Sequence, residues 1–335
     1  MPDRANAPLA KLRESLQLAL EADGPGGGPQ VMDQLDAAVG YYSLHFSKYP
    51  PAELADEAHR TRALVALMLR QPQPDARRAD LRRAAGWLSA LVGNLAYVLG
   101  DYAAARIHLE TAHRLGNAAG DRWLVGWSLG AKTMLANSLG SHDEALALSE
   151  RALEYADTPL RYAQLLAWGR LRSLAAVGDR AEAAAVVGSA QDAMAADPEG
   201  DQPGRFGFDL TELRLHLAEA ARDMGDHAEC RDHAEASRAG LSPSRPAWAA
   251  ATLVLARGEA ARGRYGDAAA LAAEVLDAVP AQSLRATSRE RLRQLHGDLV
   301  TADSGVHAET LEERLRTMPP LLPGGASSDE PNGVT

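Results

Sequence analysis

The chain has 335 residues, of which 46% are hydrophobic and only 5% aromatic, and it carries a formal net charge of −10. That apolar content furnishes a continuous core and excludes a disordered chain. The acidic balance argues against direct nucleic-acid binding, which needs a positive face to displace condensed counterions. A single cysteine, Cys230, leaves no internal disulfide framework and fits a reducing compartment.

Met1 is followed by no charged segment leading into an apolar one, and no apolar run of about 18 residues occurs. The expectation is a cytoplasmic protein that does not span a membrane. Alanine dominates the apolar residues and Val/Ile/Thr-rich runs are missing, so helices are expected and strands are not.

In chain order, the first helix reads over residues 9–22, with Leu9, Leu12, Leu16 and Leu20 on one stripe. DGPGGGP then breaks it as a flexible linker. Helix resumes near Val31 and is expected to run to Pro50-Pro51, where the second proline suits the first turn of the next helix. That helix covers residues 52–70 and ends in QPQP.

From there a rhythm sets in, marked by short glycine turns: LGDYAAA at Gly100, LGSHDEA at Gly140, VGDRAEA at Gly178, MGDHAEC at Gly225 and RGRYGDA at Gly263. Each glycine can take the left-handed conformation that ends one helix, and a polar residue after it starts the next. Five residues past each glycine stands a small residue (Ala105, Ala145, Ala183, Cys230, Ala268). Twelve past it stand Ala112, Ala152, Ala190, Ser237 and Val275. These offsets are seven apart, nearly two helical turns, so both positions face the same way and let two helices close up. Capping helices are expected over residues 285–300 and 308–318, with an aperiodic tail from Pro319.

The turn glycine, the aromatic two residues later (Tyr102, Tyr265), the two small positions, Gly93 and the closing Pro280 resemble the tetratricopeptide repeat. The units are longer than the usual ~34 residues, and Gly93 has no counterpart in the other four. The resemblance implies an all-α fold, a right-handed α-solenoid of antiparallel helical hairpins. The expected organisation is an N-terminal helix and Gly/Pro linker over residues 1–30, a divergent helical hairpin over 31–80, repeats with capping helices over 81–318, and a disordered tail over 319–335. PPAEL at Pro50, GWLSALVGNLAYVLGDYAAA at Gly86, GDRWLVGW at Gly120 and PGRFGFD at Pro203 also resemble the repeat region of actinobacterial helix-turn-helix (XRE-type) transcriptional regulators. About 30 residues precede the first repeat-like helix, fewer than the ~50 a small domain needs, so a DNA-binding role is not carried over.

Motifs for chemistry are few. His227, Cys230 and His233 share one helix face, and His/Cys sets bind zinc, but Cys230 stands where the other units have a buried alanine. His108 and His113 flank Glu110 at a spacing that does not align them, and His216 lies in a leucine-rich helix. No phosphate loop, nucleophile elbow or HExxH is present. No cofactor and no catalytic set are expected.

In a solenoid the first helix of each hairpin lines the concave surface. Counting back from the turn glycines puts Trp87, Asn94, Tyr97, Trp127, Asn137, Trp168, Arg172, Glu219, Arg222 and Arg257 on that wall. Asparagines bond both donor and acceptor of an extended backbone and tryptophans supply anchor area, so the wall suits a peptide. The same tryptophans could equally fill gaps between repeats. In RFGFD, Phe206 and Phe208 are expected to staple the loop to the stack with Asp209 capping the next helix, ahead of the alternative that the loop is a ligand lid. The functional reading is a regulatory scaffold for a protein or peptide partner. The alternatives are a regulator that senses a small-molecule or peptide signal and acts on DNA indirectly, and a metal protein or enzyme at His227/Cys230/His233. Self-association is compatible with any of them.

Overall fold

The computed structural model describes residues 7–24, 28–197 and 204–321; the expectations for the linker glycines 25–27, the loop 198–203 and the tail from 322 fall outside them. The described residues are helical throughout, with no strand among them. Three helices come first: α1 (Ala7–Asp23), α2 (Pro29–Leu44) and α3 (Pro51–Arg70). Hairpins then follow one another: α4 (Asp75–Leu99) with α5 (Tyr102–Ala119), and α6 (Arg122–Ser138) with α7 (His142–Leu153). In the third hairpin α8 (Pro159–Leu165) passes through a π-helical turn, Leu166–Leu171, into α9 (Arg172–Val177), which pairs with α10 (Arg180–Ala196). The remaining pairs are α11 (Leu210–Asp223) with α12 (His227–Ala239), α13 (Pro246–Ala261) with α14 (Tyr265–Ala278), and α15 (Ala286–Thr301) with α16 (Gly305–Arg316).

The glycine turns have one geometry. Gly100, Gly140, Gly178, Gly225 and Gly263 all sit at positive φ, between 73° and 86°. At the first, Gly100 N–H donates to Tyr97 O at 3.1 Å and Asp101 N–H to Ala96 O at 2.9 Å, the double closure that satisfies the orphan carbonyls of a helix end. The Asp101 side chain then accepts from Ala104 N–H at 2.9 Å and caps α5. Asp179 and Asp226 cap α10 and α12 in the same way. Each such cap is worth about 1 kcal/mol.

The small positions close the hairpins. Ala105, Ala145, Ala183, Cys230 and Ala268 are all fully buried, as are their partners Ala112, Ala152, Ala190, Ser237 and Val275. At Gly93 a Cβ would stand 2.9 Å from the Leu109 side chain and 3.1 Å from its backbone nitrogen, so α4 and α5 approach as closely as backbones allow.

Two features depart from the sequence reading. Helix α2 ends at Leu44, not at Pro50: His45 Nδ1 lies 2.9 Å from Tyr41 O, and the Tyr41 and Tyr49 hydroxyls meet at 2.8 Å. Residues 45–50 thus fold back as an aromatic knot instead of continuing the helix. The π turn interrupts α8–α9, and the Gly169 carbonyl within it accepts from Arg172 N–H and also from Ser173 Oγ at 3.1 Å and Asn137 Nδ2 at 3.4 Å.

The stack also curls back on itself. α15 touches α4, and Ala286 Cβ lies 3.3 Å from the Cβ position of Gly100. Residues 204–206 reach α2, where Arg205 N–H donates to Ser43 O at 2.9 Å and Phe206 N–H to Ser43 Oγ at 3.0 Å. Concave walls from both ends of the chain therefore face each other across an interior cavity.

Candidate binding cavity

The C-terminal ends of α4, α6 and α11 and the start of α9 converge with α15 on this cavity. Its outer lobe, about 210 Å³, is lined by Tyr97, Asn137, Arg172, Glu219 and Arg222 together with Tyr102, Trp168 and the α15 residues Glu290, Arg291 and Gln294. An inner lobe of about 100 Å³ shares Tyr97, Arg172, His216, Glu219 and Arg291 with it and adds Asn94, Arg205, Glu212, Arg285 and Ser288.

Glu219 is the hub. Its side chain is 2% exposed and takes Arg172 from α9 on one oxygen and Arg291 from α15 on the other, so one carboxylate ties three helices. A buried ion set is held in place by partner number and geometry, since desolvation offsets much of its Coulomb energy. Arg222 pairs with its neighbour Asp223. Tyr97 Oη lies 2.8 Å from Ser138 Oγ, and Asn137 Oδ1 accepts from Ser173 Oγ at 2.9 Å. Asn94 is buried with its Oδ1 unpartnered toward the inner lobe.

The tryptophans form a ladder behind this wall. Trp87 meets Trp127 at 6.1 Å between ring centroids, and Trp127 meets Trp168 at 5.5 Å. Trp127 is fully buried, and only Trp168 borders the cavity. Phe206 wedges against Trp87 at 4.5 Å and Trp127 at 5.2 Å, and Phe208 is buried. Trp87 Nε1 donates to Asp121 at 2.9 Å, and Trp168 Nε1 to Glu212 at 3.0 Å. Arg257 lies apart, bonded to Gln294 at 2.6 Å and Asp298 at 3.3 Å across α13 and α15.

Charge inside the cavity is shaped by burial. Burial, with the neighbouring cations Arg291 and Arg222 adding to it, pulls Arg172 down to about 10. Arg291 is brought to about 10 chiefly by burial as well. His216 is held below the usual histidine value by burial, which its neighbour Glu212 only partly offsets. Burial alone would raise the Glu212 carboxyl, but His216 and Arg205 bring it below the usual range.

The alternative of a metal centre at His227, Cys230 and His233 finds no ligand cluster among the described residues. Cys230 is packed between α12 and α13, its Sγ 3.1 Å from where a Cβ on Gly258 would stand. Burial pushes its thiol up to about 11, whereas a metal ligand must be the thiolate. His233 is turned to Glu229 at 3.2 Å.

Sequence reasoning missed Arg205, Arg285 and Arg291. Arg285 and Arg291 belong to a segment read only as a cap, and Arg205 to a loop read as a staple in preference to a ligand lid. What brings all three inward is the curvature of the stack, which no local pattern encodes.

No family model matches the chain, and no curated protein matches it in sequence. Among solved structures it is similar to a Rap protein complexed with competence and sporulation factor, at a TM-score of 0.49 and 13% identity, over 92% of this chain and 96% of that one. It is also similar to yeast Tom70, at a TM-score of 0.43 and 13% identity, over 92% of this chain and 63% of that one.

Proposed function

We propose that this protein is a non-catalytic helical-repeat scaffold that binds a peptide or an extended segment of a partner protein in the outer lobe of its cavity. The carrying observation is the composition of that lobe. Tyr97, Asn137, Arg172 and Arg222 project from successive repeats onto one surface, with Glu290 and Gln294 opposite them on α15. Polar donors and acceptors at repeat spacing match the alternating groups of an extended backbone. Tyr97, Tyr102 and Trp168 add aromatic area for a side-chain anchor.

The role is regulatory and cytoplasmic in this reading. It is supported by the likeness of GWLSALVGNLAYVLGDYAAA and GDRWLVGW to the repeat region of helix-turn-helix regulators and by the single buried cysteine. No helix among the described residues is long and apolar enough to cross a membrane.

The test is co-purification of the full chain at modest salt, compared with Asn137→Ala and Arg222→Ala. A partner recovered with the parent chain and lost from both variants is the expected result. Equal recovery from all three places the contact elsewhere and ends the reading.

A further inference from the structure

Buried polar side-chain atoms in a folded chain nearly always find partners, because desolvating one without a partner is costly. Here about half of the exceptions among the described residues fall in one place. Arg172 Nε, Arg205 Nε, Arg285 Nε, Arg291 Nη1, His216 Nδ1 and Ser288 Oγ, together with Asn94 Oδ1, are all buried and unpartnered, and all belong to residues lining the inner lobe. The four guanidinium nitrogens and the serine hydroxyl among them can each donate a hydrogen bond.

The charge balance points the same way. The inner lobe holds four guanidinium groups, Arg172, Arg205, Arg285 and Arg291, against two carboxylates, Glu212 and Glu219, an excess of two positive charges (4 − 2). Glu219 is already divided between Arg172 and Arg291, and Glu212 stands 3.4 Å from Arg205 while accepting from Trp168. No carboxylate lies within ion-pair distance of Arg285 among the described residues. Its Nη2 donates to Ser47 Oγ at 3.0 Å and its guanidinium stacks 4.9 Å from the Phe46 ring. Burial, and then the charge of Arg205, bring Arg285 to about 9, so it stays cationic at neutral pH. Unbalanced charge in a water-poor interior attracts a counter-charge far more strongly than at the surface.

We propose that the inner lobe is a receptor for a compact dianionic oxyanion, a phosphate monoester or a dicarboxylate, held by Arg205 and Arg285 with Arg172 and Arg291 behind them. The planar forks of arginine suit oxyanions, which accept two parallel N–H bonds from one guanidinium. A lobe of about 100 Å³ admits such a group, whereas pockets for drug-sized ligands run to roughly 300 Å³ and more. The four arginines come from α9, the loop before α11, and the residue before α15 together with its second turn, so a bound dianion would bridge the middle of the stack to its C-terminal hairpin. This site adjoins the outer lobe and shares Arg172 and Arg291 with it, whereas Arg205 and Arg285 line only the inner of the two lobes, so variants at those two test the anion site apart from the peptide reading.

The experiment is calorimetric titration of the full chain, dialysed into chloride buffer, with inorganic phosphate and separately with succinate, at matched ionic strength. Saturable binding of about one equivalent of at least one dianion is expected, and preference for phosphate over succinate, or the reverse, tells which chemistry the lobe takes. Arg285→Gln and Arg205→Gln, each checked for helical content by circular dichroism, should weaken that binding tenfold or more. No saturable heat with either dianion beyond that of sodium chloride, or unchanged binding in both variants, overturns the proposal. Partner recovery tested with Asn137→Ala is unaffected by either outcome.

Discussion

The guanidinium of Arg285 lies 4.9 Å from the centroid of the Phe46 ring, joining the turn after α2 to the start of α15. Arg205 stacks on the same ring at 5.7 Å, so Phe46 is where the curled stack meets itself. Phe46 is 4% exposed. Phe46→Ala should therefore cost about 3–5 kcal/mol, read from urea denaturation, and should enlarge the radius of gyration in solution scattering. A variant with unchanged dimensions would mean that the ends are held by other contacts.

Closure of the hairpins depends on the fully buried small residues. Ala145→Leu adds three carbons where α6 and α7 leave no space, and is expected to destabilise by about 1–3 kcal/mol. The midpoint of thermal or urea unfolding checks it. A neutral effect would show that this alanine does not set the spacing of the hairpin.

Gly204 has φ of 96°, and a Cβ there would stand 3.0 Å from the backbone of Leu44. Gly204→Ala combines left-handed strain with a backbone clash and should cost on the order of 1–3 kcal/mol. Because the loop carries Arg205 and Phe206, the same variant should shift tryptophan emission, through Trp87 and Trp127.

Acid should weaken the fold through a basic cluster on α3 and α5. Arg62 lies 3.1 Å from His59 and 3.2 Å from His108. Burial, then Arg62 and His59, hold His108 at about 4, with Asp101 opposing them weakly. His59 is lowered by burial and Arg62 against the pull of Asp56. Both rings stay neutral in the fold while the unfolded chain takes up protons near pH 6.5. The unfolded state then binds more protons, so stability is intact above about pH 6.5 and falls as the pH drops toward 4. His108→Gln should flatten that decline, seen by comparing urea midpoints at about pH 7 and about pH 5.

The hairpin stack was legible because its determinants are local. A glycine at Gly100 or Gly225 ends a helix through its own φ, Asp101 or Asp226 starts the next, and Ala105 and Ala112 share a face through helical geometry alone. Part of the wall followed from the same counting: Tyr97, Asn137, Arg172, Glu219 and Arg222 do line the cavity. The tryptophans at thirteen and ten residues before the turns were ambiguous, since one spacing serves both a groove and the packing behind it. Phe206 fills the space in front of Trp87 and Trp127, and only the fold shows that. Opposite the wall, Arg285 and Arg291 sit more than a hundred residues from Arg172. Their meeting depends on curvature summed over several hairpins, and small angular differences at each one decide it.

The central claim is that the outer lobe takes a peptide or partner segment. A photo-reactive phenylalanine in place of Tyr102, which lines the lobe, tests it directly when compared with the same group at Ile107, 65% exposed on the same helix. Irradiated in cells that make the protein, the Tyr102 position should yield a discrete adduct that competes with unlabelled partner and is absent from the Ile107 position. No adduct at Tyr102, or the same adduct from both positions, would contradict the account.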